Sequence, residues 1–260
     1  MRYRKMSLTI TIATICLLFF PTSLRAEEQP EMVTDRPDFT ESASAVPPRW
    51  VQLEMGAELG GSQTEIELGL PKLLVRAGVF RNFEARLEVP SITVLKPGQG
   101  KASADYGAAG LGMKYVVPLS DKAAIGVIAG VGIPVESAAL KSDGLGAVIN
   151  FLWAVDLSPS WSLGGNALIQ AGGLAGKSPD TNVELDYAVS LSVGHSLTDK
   201  WGIYFESINQ IDHQSDYRPA LDAGLTYLVA SNLQLDAYGG FDVTRTGEDW
   251  FAGLGASILL

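Results

Sequence analysis

Charged side chains that alternate with apolar residues fall into two sets along this sequence. The basic set lies within residues 72–114 and the acidic set within residues 156–236. The members are Lys72, Arg76, Arg86 and Lys114 in the basic set, and Asp156, Glu184, Asp186, Glu206, Asp222 and Asp236 in the acidic set. If both sets line one cavity, they place a transverse electric field across it that orients dipolar or ionic solutes. The alternative interpretation is that the two sets bridge each other and plug a narrow cavity.

A short motif near the N-terminus concentrates further charge. It is the stretch TDRPDFTES at residues 34–42, and its charged members are Asp35, Arg36, Asp38 and Glu41. Residues 27–48 around it follow neither helical nor strand periodicity, so we expect an irregular segment. Our hypothesis is that this segment folds into the mouth of the cavity, or plugs it, and pairs with both charged sets.

One triplet has the residue types of a hydrolytic site. His213, Gln214 and Ser215 reproduce the H-x-S spacing of a known phospholipase, in which a histidine base and a serine nucleophile cleave acyl esters. That chemistry also needs an orienting amide, and the nearest downstream asparagine, Asn232, falls in a predicted turn. We therefore predict no enzymatic activity and keep an acyl hydrolase as the alternative. His195 and His213, the only two histidines, form no zinc-ligand cluster, so we expect no metal and no cofactor.

The N-terminus has the composition of an export signal. Basic residues precede an apolar stretch, and a small residue, Ala26, offers a cleavage site, so we predict a signal peptide at residues 1–26. Its removal takes away the single cysteine, Cys16, and leaves 15 basic and 29 acidic residues. Disulfides and thiol chemistry are therefore not expected in the mature chain. The acidic balance also argues against nucleic acid as a partner.

Residues 49–260 repeat a pattern of about ten residues in which alternate members are apolar. This pattern predicts twelve β-strands, at 50–59, 70–79, 83–91, 107–117, 123–133, 147–157, 161–170, 182–194, 201–209, 218–229, 233–242 and 250–260. The predicted connections alternate between short turns and longer loops. Short turns on one rim and long loops on the other are typical of an antiparallel up-and-down barrel in a bacterial outer membrane.

The two faces of the predicted strands also favour a membrane barrel. Leu53 and Met55 share one face of the first strand, while Gln52 and Glu54 share the other, and similar alternation recurs in later strands. An apolar outer face with a polar inner face reverses the plan of a soluble barrel. One strand differs, because glycines take the inner positions of the stretch AAIGVIAGVGIPV at residues 123–135. We interpret its glycines, together with those of the preceding strand, as keeping the lumen from filling; they are Gly126, Gly130, Gly132, Gly110 and Gly112.

Four stretches carry a resemblance to a known family. They are TDRPDFTES at 34–42, VPPRWVQLEMG at 46–56, LDAGLTYLVASNLQLDAYGGF at 221–241 and DWFAGLGASI at 249–258. The mature chain resembles the bacterial outer-membrane family of meta-pathway phenol degradation proteins, whose members are often described as transporters. The resemblance implies a β-barrel that passes small organic compounds, aromatic ones among them, and it implies no catalytic residues. Many such barrels end in an aromatic residue, whereas this chain ends in Leu260.

These observations predict a solute-passing, porin-like channel in the outer membrane of a Gram-negative bacterium. Its expected partners are outer-membrane lipid, small organic solutes and the barrel-assembly machinery. Solutes would diffuse through a lumen lined by the two charged sets. A structural or adhesive surface barrel is a further alternative.

Overall fold

The computed structural model describes residues 29–62, 64–133, 144–174, 183–244 and 250–260 of the chain. The predicted signal peptide, residues 1–26, lies outside the described residues. Within these ranges, no helix is both long enough and apolar enough to span a membrane.

The described residues form fourteen β-strands that close into a barrel. They are β1 (Val51–Gly61), β2 (Glu65–Phe80), β3 (Phe83–Val89), β4 (Ile92–Pro97), β5 (Ser103–Tyr106), β6 (Ala109–Ser120), β7 (Ala123–Ile133), β8 (Leu145–Ser158), β9 (Trp161–Leu174), β10 (Glu184–Ser196), β11 (Trp201–Ile211), β12 (Tyr217–Ala230), β13 (Leu233–Asp242) and β14 (Trp250–Leu259). Every strand pair is antiparallel, and β1 pairs with both β2 and β14. Closure gives each backbone group in the wall a partner, as hydrocarbon surroundings demand.

The barrel has twelve strand positions, because two positions are each occupied by two strands. β2 pairs with β3 through its second half and with β4 through its first half, while β3 pairs with β6 and β4 with β5. β3 and β4 therefore form one interrupted position, and β5 and β6 form the next. The twelve-stranded antiparallel barrel predicted from the sequence is confirmed.

Three predicted loops are shorter in the structure than the sequence indicated. In place of the predicted loop 60–69, β1 extends to Gly61 and β2 begins at Glu65. The predicted loop 92–106 contains β4 and β5, and the predicted loop 210–217 is confined to residues between Ile211 and Tyr217. In β2 the apolar alternation continues through Ile66, Leu68 and Leu70, with Glu65 and Glu67 on the other face, so the predicted start at residue 70 was too late. Pro71 lies where the pairing of β1 with β2 shifts register, a place where a strand tolerates proline.

The side chains of the two barrel faces follow the predicted alternation. Large apolar residues are exposed on the outside, including Leu254, which is 67% exposed, and Phe205, which is 61% exposed. Polar residues are buried inside, including Gln52 and Glu54. Trp161 and Trp201, which follow two of the short turns, are also exposed on the outer surface, as expected of an interfacial aromatic band. Such a surface is stable when hydrocarbon covers it.

The outer face gives a first testable prediction. Leu254 lies midway along β14, so Leu254→Arg places a charge near the bilayer midplane and should lower the free energy of unfolding by about 2–4 kcal/mol. Urea unfolding of the barrel in lipid vesicles measures this loss. The matched control is Gln170→Arg, because Gln170 faces the lumen, and we expect it to change stability by much less. Equal losses in the two variants would show that the outer face is not covered by hydrocarbon.

Candidate functional site

The N-terminal segment, defined here as residues 29–48, runs through the inside of the barrel. It starts at the rim with the short turns, where the Gln29 side chain accepts a hydrogen bond from Ser231. Its return limb leads into β1, and there the Val46 amide donates to Glu84 at 2.7 Å. Between these points its side chains and amides contact inward-facing groups of many strands. The segment therefore lies across the lumen.

Asp35 of this segment lies among three cations of the wall. Its carboxylate is 2.6 Å from the Arg86 guanidinium, 2.8 Å from the Lys114 ammonium and 3.4 Å from the Arg76 guanidinium. It also accepts hydrogen bonds from the amide and the hydroxyl of Ser42, at 3.0 and 2.6 Å. Burial acts to raise the pKa of Asp35, but the attraction of the three cations outweighs it and holds that pKa well below its ordinary value.

Arg76 holds the two limbs of the segment against the wall. The guanidinium donates to Glu84 at 2.9 Å and to Glu54 at 2.8 Å, and it also donates to the carbonyl oxygens of Val33 and Ser44, each at 3.1 Å. The Arg76 side chain is fully buried. A buried guanidinium in contact with four acceptors is compensated for its lost hydration.

Arg36 makes a second anchor, on the neighbouring strands β1, β13 and β14. Its guanidinium is 2.9 Å from the Asp236 carboxylate and lies 5.7 Å from the centre of the Tyr238 ring. A Cβ atom at Gly56 or at Gly255 would lie about 2.5 and 2.4 Å from this guanidinium. The absence of side chains at these two wall positions lets the Arg36 guanidinium approach the backbone this closely.

The acidic part of the wall also receives the segment through hydrogen bonds. Glu206 accepts from the amides of Phe39 and Thr40 at 2.8 and 2.7 Å, and from the Thr40 hydroxyl. Asp38 accepts from the Ser192 hydroxyl at 3.1 Å. Burial raises the pKa of Asp38 well above its ordinary value, and the nearby carboxylates Glu206 and Asp222 raise it further.

The structure places the predicted charged residues in three surroundings. Six are buried against or beside the N-terminal segment: Arg76, Arg86, Lys114, Glu206, Asp222 and Asp236. Lys72 pairs with Glu58, while Glu184 and Asp186 lie beside His213, where the chain turns between β11 and β12. Asp156 lies near the rim with the short turns and lines a cavity there. The segment joins the buried members of the two sets, so the field does not cross an empty lumen.

Two acidic residues of the basic wall were missed from the sequence. Glu54 and Glu84 both accept from Arg76, and Glu84 also lies 3.0 Å from Arg86. Their signal was the alternation itself, since Glu84 shares its strand face with Arg86 and Glu54 was already placed on the polar face of the first strand. The basic set considered alone therefore overstated the positive charge of this wall.

The H-x-S triplet is not arranged as a hydrolytic site. His213 Nδ1 is 3.4 Å from Asp186, and His213 Nε2 is 3.4 Å from the Gln214 side chain. The Ser215 amide donates to the Asp212 carbonyl oxygen, and no hydrogen bond joins Ser215 to His213 in the described part of the chain. Nor do the described ranges contain a cluster of three or more His, Cys, Asp or Glu residues arranged to hold a metal ion.

Three cavities follow the barrel axis. The lower cavity, of about 590 Å³, lies toward the short turns, and the upper cavity, of about 480 Å³, lies on the other side of the N-terminal segment. Arg36, Asp38 and Glu41 line both of these cavities. A smaller pocket of about 190 Å³ adjoins the upper cavity and shares Arg86 and Glu88 with it. The segment is thus the partition between the lower and the upper cavity.

Comparison with protein families gives a match over most of the chain. The model described as "Putative MetA-pathway of phenol degradation" matches residues 34–260. The chain belongs to this family. The resemblance expected from the sequence is therefore confirmed. A comparison with curated proteins found no match.

Solved structures with the same fold are outer-membrane barrels. The NanC porin matches with a TM-score of 0.55 at 10% identity, over 80% of this chain and 98% of that one. The KdgM porin in complex with disordered oligogalacturonate matches with a TM-score of 0.54 at 10% identity, over 80% and 98%. The translocator domain of autotransporter NalP from Neisseria meningitidis gives 0.51 at 11%, over 80% and 86%. This fold and the apolar outer face together place the protein in the outer membrane of a Gram-negative bacterium.

The raised pKa of Asp38 predicts that the N-terminal segment is held less firmly as pH rises. A carboxyl with a raised pKa stabilises docking fully below its ordinary value of 3.8, and this contribution is lost as pH rises through the raised pKa. The lowered pKa of Asp35 has the opposite effect on docking. Its contribution is present above pH 3.8 and is lost only as pH falls below that value. As pH rises above 3.8, the net effect of Asp38 is therefore to loosen the segment.

Labelling of a cysteine placed at Ala43 measures this effect. Ala43 is buried against Ile128 and Leu152, so a maleimide reaches Ala43→Cys only when the segment leaves the wall. We expect its labelling rate, divided by the rate in an Asp38→Asn background, to rise as pH is raised above 3.8. The ratio cancels the ionisation of the thiol itself. A ratio that stays constant would contradict the assignment to Asp38.

Proposed function

We propose that this protein is an outer-membrane channel for small organic solutes, in which the N-terminal segment is a movable plug. The observation that carries the proposal is the partition by Arg36, Asp38 and Glu41, which line both the upper and the lower cavity. Among the described residues, this partition separates a solute in the upper cavity from the lower cavity. Movement of the segment by a few ångströms joins the two spaces into one path.

The family and the fold support this proposal. NanC and KdgM, which share the fold, are both described as porins. The family description refers to phenol degradation, which gives small organic compounds, including aromatic ones, as the solute class. We propose that the ten charged residues predicted from the sequence line the solute path. Six of them lie against or beside the plug, and the other four lie nearer the two mouths of the path.

No enzymatic reaction is part of this proposal. His213 and Ser215 are not hydrogen-bonded to each other within the described residues, and the solute path uses charge and space alone. The proposed partners are outer-membrane lipid on the apolar face and small organic solutes in the lumen. Insertion by the barrel-assembly machinery stays a prediction.

A reversible tether of the plug tests the proposal. The hydroxyls of Thr40 and Ser190 are 2.6 Å apart, so Thr40→Cys with Ser190→Cys brings two thiols within reach of a disulfide. Oxidation should lower the flux of small neutral solutes into proteoliposomes several-fold, and reduction should restore it, because the tethered plug cannot leave the wall. Each single variant, treated with the same oxidant, is the control.

Two results would contradict the proposal in different ways. Equal flux before and after verified disulfide formation would show that the plug does not gate the path. Absence of flux from the reduced variant and from the wild-type barrel alike would show that the protein is not a channel for these solutes.

A further inference from the structure

The small pocket beside the upper cavity has a wall almost free of side chains. It lies on two rows of paired residues that cross neighbouring strands of the barrel. One row runs through Glu88, Gly110, Gly132 and Gly146, and the other runs through Arg86, Gly112, Gly130, Val148 and Gln170. All nine residues line the pocket. The glycines form a flat backbone surface, and the polar side chains lie at the ends of the rows.

Packing does not require glycine at two of these positions. A Cβ atom built on Gly132 would have its nearest neighbour at 3.8 Å, and one built on Gly146 at 3.6 Å, which are ordinary van der Waals distances. Neither residue has a positive φ, which Gly100 and Gly173 do have. Alanine or a larger residue would also lower the cost of ordering the strand. The absence of side chains at Gly132 and Gly146 therefore preserves empty space in the lumen.

The size and shape of this space suit one small ring. The pocket holds about 190 Å³, and an apolar cavity of roughly 150 Å³ accommodates benzene. Ile128 and Val148 supply apolar side chains beside the glycine surface. A planar ring lying on a flat wall brings all its atoms to contact distance at once, and dispersion attraction is the sum of such contacts. A puckered saturated ring cannot do this equally well.

The polar ends of the pocket favour a neutral solute that carries a hydrogen-bond donor. Glu88 and Gln170 are exposed to the lumen, and neither side chain has a hydrogen-bond partner among the residues that the structure describes. Arg86 is already paired with Asp35, Glu84 and Glu41. An anion would therefore meet the free carboxylate of Glu88 without gaining a free cation, whereas a hydroxyl group can donate to that carboxylate.

We propose that this pocket, which we call the glycine pocket, is a binding site for a neutral single-ring aromatic compound bearing a hydroxyl group. The ring lies on Gly132 and Gly146, and the hydroxyl donates to Glu88. The inference rests on the proposed channel function, in which the pocket is a binding site on the solute path above the plug. It adds a defined site and a preference for planar, hydroxylated, uncharged solutes.

Equilibrium binding to the purified full-length barrel in detergent tests the glycine pocket separately from transport. Phenol is the probe, and cyclohexanol, benzene and benzoate test planarity, the hydroxyl group and charge in turn. Calorimetry should show phenol binding more tightly than each of the other three. In Gly132→Val with Gly146→Val, where side chains occupy the pocket, phenol binding should weaken at least tenfold.

Gly172→Val is the matched control for the double variant. Gly172 lies on the neighbouring strand β9, where an added Cβ has its nearest neighbour at 4.0 Å, and it does not line the pocket. We expect it to bind phenol as the wild type does. Heat-modifiable migration in gels confirms that each variant is a folded barrel, and a second pair, Gly132→Ala with Gly146→Ala, replaces the valines if those do not fold.

Three outcomes would overturn the glycine pocket. They are unchanged phenol binding in a folded double variant, equal binding of cyclohexanol and phenol, and no phenol binding by a wild-type barrel that nevertheless passes small solutes. The last result leaves the channel function intact while removing the site, so the two proposals fail separately.

Discussion

The carboxylate of Asp35, surrounded by Arg76, Arg86 and Lys114, is the interaction on which the inner organisation of the barrel depends. Three cations so close to one another on a barrel wall repel, and desolvation adds to the cost. Glu54 and Glu84 offset part of this charge, but they belong to the wall and are fixed with it. Asp35 arrives on a separate segment. The same ion pairs that make the wall stable therefore hold the N-terminal segment across the lumen.

This arrangement separates the two requirements of a membrane channel. The outside of the barrel is apolar, and closure of the barrel gives the backbone groups of the wall their hydrogen-bond partners. Together these two features fix the protein in the membrane. Inside the barrel, the charged groups form a network of ion pairs and hydrogen bonds. One member of this network, the N-terminal segment, is not fixed in the barrel wall. On the acidic wall the same segment is held by the ion pair of Arg36 with Asp236, by hydrogen bonds from Phe39 and Thr40 to Glu206, and by a buried Asp38. The segment is therefore anchored to both sets of wall charges.

The sequence predicts the barrel better than it predicts the contents of the lumen. Alternation of apolar and polar residues is a local property, so the strand positions and the faces of Arg76, Lys114 and Glu206 followed from it directly. Partners across the lumen are set by the closure of the barrel and by the course of residues 29–48, neither of which has a sequence period. For that reason the sequence did not predict the place of Glu84 in the network, although it did predict which face of the strand Glu84 occupies. The short strands β4 and β5, of six and four residues, were missed because neither is long enough to show a full ten-residue repeat.

Hydrogen exchange of the N-terminal segment tests the central claim most directly, namely that Asp35 fixes this segment inside the barrel. The amides of Phe39, Thr40, Ser42 and Val46 all donate to carboxylates there. In the wild-type barrel, embedded in lipid nanodiscs, these amides should exchange far more slowly than in a free peptide. In Asp35→Asn they should exchange at least tenfold faster while the strand amides stay protected. Exchange at free-peptide rates in the wild type would contradict the account.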